Sequence, residues 1–382
     1  MPVYLDHNAT TPLDTRVLEA MLPYLTEHHG NPSSAHRFGR VARAAVDKAR
    51  EHVAELVNAQ PGQVIFTSGG TEANNLAIKG VTVMNKPGWL AIGATEHASV
   101  TEAAVSLKSD GWQVSQFPVD DQGCLIEAEI DSILSLCPTL VSVMWANNET
   151  GVVQDIAALS GKTRARGALI HTDAVQAAGK IEVDFAASGV HMMSLSAHKI
   201  HGPKGVGALI VDKSVELKPM LHGGGQEKDR RSGTENVAAI VGFGAAASLA
   251  KARLADYSAR VMSMRNRLES ELRALGGIEI FGATAERLPN TVCFGAVGID
   301  GETLLLSLDR AGIAVSSGSA CASTNRAPSP VLQAMGIDAD LSLGAIRVSL
   351  GSGNTDNDID AFVAALAAQL QQLRRMAGRA VG

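Results

Sequence analysis

Four short apolar runs in the first half of this chain each end in a cluster of polar side chains, with helical stretches between them. Trp89-Leu90-Ala91-Ile92 stops at Thr95-Glu96-His97, and Leu140 to Trp145 stops at Asn147-Asn148-Glu149-Thr150-Gly151. Ala168-Leu169-Ile170 leads into His171-Thr172-Asp173-Ala174-Val175-Gln176, and His191 to Leu195 leads into the turn around Lys199. Short apolar runs alternating with helices predict an α/β fold built on a mostly parallel sheet with helices on both faces. Open sheets of this kind bind ligands outside the carboxyl ends of their strands. Four strand ends of one character therefore predict one shared site.

The flanking sequence extends the pattern. Val41, Ala45, Val46, Ala49, Val53, Leu56 and Val57 recur at helical spacing. Val64-Ile65-Phe66-Thr67 predicts a strand, followed by Ser68-Gly69-Gly70-Thr71-Glu72 and a helix from Ala73 to Lys79. Farther on, Leu221 to Gln226 and Arg230 to Glu235 read as a flexible polar segment ahead of an Ala-rich helix from Asn236 to Ala255. Gly242-Phe243-Gly244 with Ala247 imitates a dinucleotide fingerprint, but no strand precedes it, so close helix packing is the better reading. A change of composition near Tyr257 predicts a domain boundary, with further helices over Val261–Leu272 and Ile359–Leu373. The expected organisation is a large domain of residues 15–256 and a smaller α+β domain formed by 1–14 with 257–382.

Composition narrows the class. The 382 residues are 46% hydrophobic and carry a net charge of -6, which argues against nucleic acid as the main partner. No segment has the form of a signal peptide, and no run reads as long enough to span a bilayer. Cys124, Cys137, Cys293 and Cys321 have no paired spacing, so a zinc knot or disulfide framework is not expected and a reducing cytoplasm is. Neither a Walker-type phosphate loop nor an H-E-x-x-H motif is present.

Lys199 stands just past a buried run, beside Ser196 and His198. A desolvated lysine is the usual route to a Schiff base with a carbonyl substrate or with pyridoxal phosphate (PLP). Ser68-Gly69-Gly70-Thr71, between strand and helix, suits a phosphate at a helix N-terminus. Asp173 needs a cationic or hydrogen-bonding partner, which a protonated pyridine nitrogen supplies. An N-cap role would serve it equally well. His97 can stack on a ring or shuttle protons. Gly70, Thr71, His97, Asn148, Asp173, Gln176, Ser196, His198 and Lys199 together supply a phosphate cup, a ring face, a pyridinium partner and an amine. Arg347, within Ile346-Arg347-Val348-Ser349-Leu350, suits either a substrate carboxylate or a structural salt bridge. Cys321 lies in a small, polar stretch, Val315 to Thr324, where an accessible thiol is a candidate nucleophile. The other three cysteines fit an inert role better.

These motifs resemble those of the cysteine desulfurases, in the PLP-dependent aminotransferase superfamily of fold type I. The resemblance covers Tyr4 to Thr11, Phe66 to Asn75, Met144 to Gly151, His171 to Gln176, Ser196 to Gly207, Arg231 to Asn236 and Ser316 to Cys321, and ends at Arg347. Trp145 to Gly151 and the compact C-terminus are most similar to the nitrogen-fixation type, whereas His7 and Gly69 depart from the common pattern. The resemblance implies that L-cysteine is converted to alanine while sulfur passes to Cys321 as a persulfide. It implies that Arg347 and Asn148 hold the substrate carboxylate. His97 stacks on the ring and takes the amine proton, and Lys199 removes the Cα proton. Gly70, Thr71, Ser196 and His198 would bind phosphate, with Gln176 on the ring hydroxyl and Thr234 coming from a second subunit of a homodimer. It further implies a cytoplasmic enzyme without resident metal, supplying a scaffold or other acceptor protein for iron–sulfur assembly, nitrogenase included. Cys321 would contact the cluster only transiently. The alternatives are a selenocysteine lyase or another fold type I PLP enzyme. More remote is a metal protein using His191, His198, His201 and His222.

Overall fold

The computed structural model describes residues 2–317 and 328–376 of the 382. A short strand, β1 (Val3–Tyr4), leads through a polar strap into α1 (Thr15–Thr26) and α2 (Arg37–Leu56). Strands and helices then alternate through β2 (Val64–Thr67), α3 (Gly70–Thr82), β3 (Trp89–Gly93), α4 (Ala98–Ser106), β4 (Gln113–Phe117) and α5 (Glu127–Leu134). Next come β5 (Leu140–Ser142), α6 (Ile156–Ala165), β6 (Leu169–Asp173), α7 (Phe185–Ser188), β7 (Met192–Ser196) and β8 (Gly207–Val211). One sheet holds seven of these strands in the order β2-β8-β7-β6-β5-β3-β4. The pairings among β3, β4, β5, β6 and β7 are parallel, while β8 is antiparallel to both neighbours.

Burial on both faces explains why the strands read as unbroken apolar runs. Val64 and Phe66 join one core with Val46 and Val53 of α2, whereas Ile65 between them joins Leu76 of α3 and Val100 of α4. The same two-residue period sends Met193 to the first core and Met192 to the second.

The helix expected to end at Ala255 does not end there. A single helix, α8 (Val237–Ala274), runs for 38 residues. Its Ala-rich half packs Phe243, Ala247 and Ala250 into the sheet core, and its second half gives Val261, Leu268 and Leu272 to another core. The change near Tyr257 is a change of neighbours, since neither Gly nor Pro interrupts residues 245–274. Among the described residues, α8 is also the one helix long and apolar enough to cross a membrane, a run that sequence reading missed. Half of its most apolar stretch is buried inside the protein, as in a core helix. The glycine pair within it is packing chemistry. A Cβ on Gly244 would stand 2.6 Å from the Cα of Ala49 in α2, and one on Gly242 would stand 2.6 Å from Met21 Sδ in α1.

Beyond α8 come β9 (Ile278–Ile280), β10 (Thr291–Ala296), α9 (Gly301–Arg310), β11 (Ile313–Ala314) and β12 (Ser316–Ser317). The described chain finishes with α10 (Pro330–Ala334), α11 (Ala339–Leu343), β13 (Ala345–Ser349) and α12 (Asp356–Met376). An antiparallel sheet in the order β12-β13-β10-β9 packs with α8, α9 and α12. The N-terminus returns to this region, because β1 pairs with β11 and Leu5 enters the same core. Two cysteines depart from the inert, buried expectation: Cys137 is exposed and Cys124 is half-buried, while Cys293 fits it.

Candidate active site

Because β3, β5, β6 and β7 are parallel, their C-terminal ends share one edge of the sheet. A cavity of about 340 Å³ lies there, large enough for a small cofactor. Gly70, Thr71, His97, Asn148, Asp173, Gln176, Ser196, His198 and Lys199 all line it, and Arg347 reaches it from β13. Thr234 is exposed just ahead of α8 and does not line the cavity. Cys321 lies outside the described residues.

A short turn after β7, Ala197–Lys199, carries Lys199 round the strand end. Its amine donates to the backbone carbonyls of Asn8 at 2.5 Å and Ala9 at 2.8 Å, so the N-terminal strap holds the lysine. Asp173 is the last residue of β6 and pairs in register with Ser194 of β7. No helix follows it directly, which removes the N-cap reading. Its carboxylate accepts from Asn74 Nδ2 at 2.7 Å and Val175 N at 2.9 Å. Neither donor carries a charge. His97 caps α4, its Nδ1 accepting from Ser99 N at 3.1 Å and meeting Ser99 Oγ at 2.7 Å.

At the other end, Gly70 and Thr71 open the first turn of α3. The Ser196 hydroxyl is buried beside them without a hydrogen-bond partner. His198 meets Thr10 Oγ1 at 3.2 Å through Nδ1. Burial, with Lys199, Lys204 and Lys180 nearby, pushes His198 down to about 4. It is therefore a neutral imidazole at physiological pH. The Arg347 guanidinium donates to Asp6 Oδ1 at 2.6 Å and to the Asn148 carbonyl at 3.1 Å, while its Nε is buried and unpartnered. Arg347 makes the salt bridge that one sequence reading expected, with Asp6, and it also lines the cavity.

The class-V aminotransferase family model matches residues 3–362. The chain belongs to that family. Among its relatives, the cysteine desulfurase IscS of Clostridium botulinum strain Hall is 41% identical over 379 residues, covering 98% of this chain and 96% of the relative. A cysteine desulfurase of Rhodobacter capsulatus is 45% identical over 375 residues, covering 97% of each. A solved structure described as a NifS-like protein superposes with a TM-score of 0.92 at 37% identity, covering 98% of this chain and all of that one.

Class-V aminotransferases are PLP enzymes of fold type I, and the residues here fit that cofactor. The unpartnered Ser196 hydroxyl beside the α3 N-terminus provides a donor for a phosphate, to which the helix end adds favourable polarity. The Asp173 carboxylate, bonded only to neutral N–H groups, suits a protonated ring nitrogen. Lys199 lines the same cavity.

Sequence reading missed several residues of this site. Asn8 joins several parts of it: its carbonyl accepts from Lys199 and Gln176, and its Nδ2 donates to the Asn148 carbonyl at 3.2 Å and to Thr291 Oγ1 at 2.9 Å. Its signal was present in the opening stretch Tyr4 to Pro12, more elaborate than a linker requires. Asn74 lies within the helix read over Ala73 to Lys79, and neither it nor Ser99 is singled out for a role.

Proposed function

We propose that this chain is a PLP-dependent cysteine desulfurase that converts L-cysteine to L-alanine and passes sulfur on through a persulfide at Cys321. The observation that carries the reading is the joint placement of Lys199, Asp173, His97 and Arg347 around one cavity. The names of the 41–45% identical relatives support the choice of reaction.

PLP, when bound, supplies an electron sink beside the Cα of the amino acid. Lys199 would hold the cofactor, and its Nζ would remove the Cα proton of the substrate. Asp173 would keep the ring nitrogen protonated. His97 would face the ring and take the proton of the incoming amine. Gly70, Thr71, Ser196 and His198 bind the phosphate, with Gln176 on the ring hydroxyl and Thr234 of the partner subunit completing the cup in a homodimer. The exposure of Thr234 supports that last assignment. Arg347 and Asn148 hold the substrate carboxylate. The Cys321 thiolate attacks the substrate sulfur: an S–S bond forms, the Cβ–S bond breaks, and the carbon skeleton takes up protons to leave as alanine. L-cysteine and an enzyme thiol thus become L-alanine and an enzyme persulfide, with atoms in balance.

The wider assignments belong to the same proposal. They are a cytoplasmic enzyme serving an iron–sulfur scaffold or other acceptor, and a nitrogen-fixation role. A division into residues 15–256 and 1–14 with 257–382 is also part of it, supported by Leu5 packing with Val261 and Leu268.

The test is to incubate the PLP-loaded protein with L-cysteine and a reducing thiol and to quantify alanine and sulfide. Equal yields are expected. Pyruvate and ammonia, or turnover confined to selenocysteine, would reject the desulfurase reading. Arg347→Lys is a finer probe, because a lysine keeps the charge but loses the planar fork. One charge-assisted hydrogen bond is worth about 1.5–3 kcal/mol, so KM for cysteine is expected to rise roughly 10- to 150-fold. The visible band of bound PLP should survive. An unchanged KM would remove Arg347 from substrate binding.

A further inference from the structure

Behind the cavity floor lies a lysine that the proposed chemistry does not use. Lys180 is only 3% exposed, and its amine donates to Asn8 Oδ1 at 2.8 Å and Gln176 Oε1 at 2.6 Å. Neither acceptor is a carboxylate, although a buried ammonium ordinarily has one. The surroundings are basic: Lys199 and Arg347 press on Lys180, and Lys180 in turn on His7, His198 and His201. Burial and these neighbours together hold its ionisation well below the ordinary lysine range. Two side-chain amide oxygens accept from that amine.

Both acceptors belong to residues that line the cavity. Gln176 Nε2 donates to the Asn8 carbonyl at 2.9 Å, and that same carbonyl receives the Lys199 amine. Asn8, Gln176 and Lys180 therefore close a triangle whose Asn8 corner carries Lys199. The triangle is anchored from behind, because the Lys180 carbonyl accepts from Ser258 Oγ on α8 and Asn290 Nδ2 donates to Asn8 Oδ1 at 3.1 Å.

We propose that Lys180 is a positioning residue of this active site, its amine tying Asn8 to Gln176 and so fixing the cradle that holds Lys199 and the ring-facing amide. The inference deepens the proposed function of the same cavity. A lysine serving only to fill the core would leave the bound cofactor undisturbed when replaced by an apolar side chain of similar length.

Lys180→Met keeps most of the length and removes the N–H donors. Its test uses the PLP-loaded protein without any turnover. Equilibrium dialysis would give the dissociation constant for PLP, and visible circular dichroism would report the asymmetry of the bound ring. The expected result is a dissociation constant raised tenfold or more together with an altered visible dichroic band. Lys180→Gln returns an N–H₂ group one bond short of the original and should give intermediate values. A Met variant with PLP affinity within twofold of the parent and an unchanged band overturns the proposal, whatever happens to its thermal midpoint. If the Met variant does not fold, the Gln variant decides, and both properties unchanged in it overturn the proposal equally. Failure of the parent to make alanine would reject the desulfurase reading while leaving this readout intact.

Discussion

Lys199→Ala is expected to abolish the visible absorbance of bound PLP and to reduce alanine formation by about 10⁴-fold or more, the upper range for a group that transfers protons in the reaction. The loss should be this large because one nitrogen has two duties, covalent retention of the cofactor and removal of the Cα proton. The geometry makes the assignment specific. Lys180 has its amine committed to Asn8 and Gln176, and Lys204 lines a neighbouring pocket with Gly70, Thr71 and Ser196. Lys199 turns round the end of β7, and the backbone carbonyls of Asn8 and Ala9 hold its amine at the cavity. Borohydride reduction followed by peptide mapping checks the assignment. PLP trapped at Lys204 or Lys180 in the parent protein would refute it.

Cys321→Ala should separate cofactor chemistry from sulfur transfer. The variant is expected to bind PLP with the parent spectrum and to change that spectrum on adding cysteine. Persulfide and sulfide should fall roughly 10³-fold or more, the scale on which removing a covalent nucleophile disables an enzyme. The other thiols are poor substitutes. Cys293 is fully buried on β10, and burial pushes its thiol far up. Cys124 is half-buried, and burial and Asp120 raise it. Cys137 is exposed, but it lies three residues ahead of β5 and so at the edge of the sheet opposite the cavity. Radiolabelled sulfur from cysteine should be found on Cys321 alone. Normal sulfur release by the variant would remove Cys321 from the mechanism.

Much of this site is legible in the sequence because doubly buried strands are written as apolar runs, and a parallel sheet gathers their ends. That logic places His97, Asn148, Asp173 and Lys199 together without any knowledge of helix angles. The strand ends shift by one to three residues, and β6 runs three residues past Ile170, which puts Asp173 inside it where the sequence suggested a position after it. The continuous α8 was missed for a different reason. Composition reports a residue's surroundings, and where a helix passes from one core to another the composition changes while the backbone hydrogen bonding does not. Lys180 is not among the residues that the sequence singles out. Its burial depends on Asn8, 172 residues away, and no local pattern encodes that contact. The exposed Cys137 is the converse case, a residue beside an apolar run whose positive φ of 52° marks a turn outside the core.

The Asp6–Arg347 pair joins residues 341 apart, and Asn8 reaches Thr291 across 283. A catalytic centre whose walls come from both termini is of high contact order, and its closure must wait for nearly the whole chain. During synthesis the β2–β8 sheet can gather as soon as its residues emerge, yet Asn8 has no Thr291 to hold until far more of the protein exists. The nascent chain would thus present Lys199 without an anchored carbonyl cradle, so competence for cofactor arrives late and all at once, when the first strand docks beside β11.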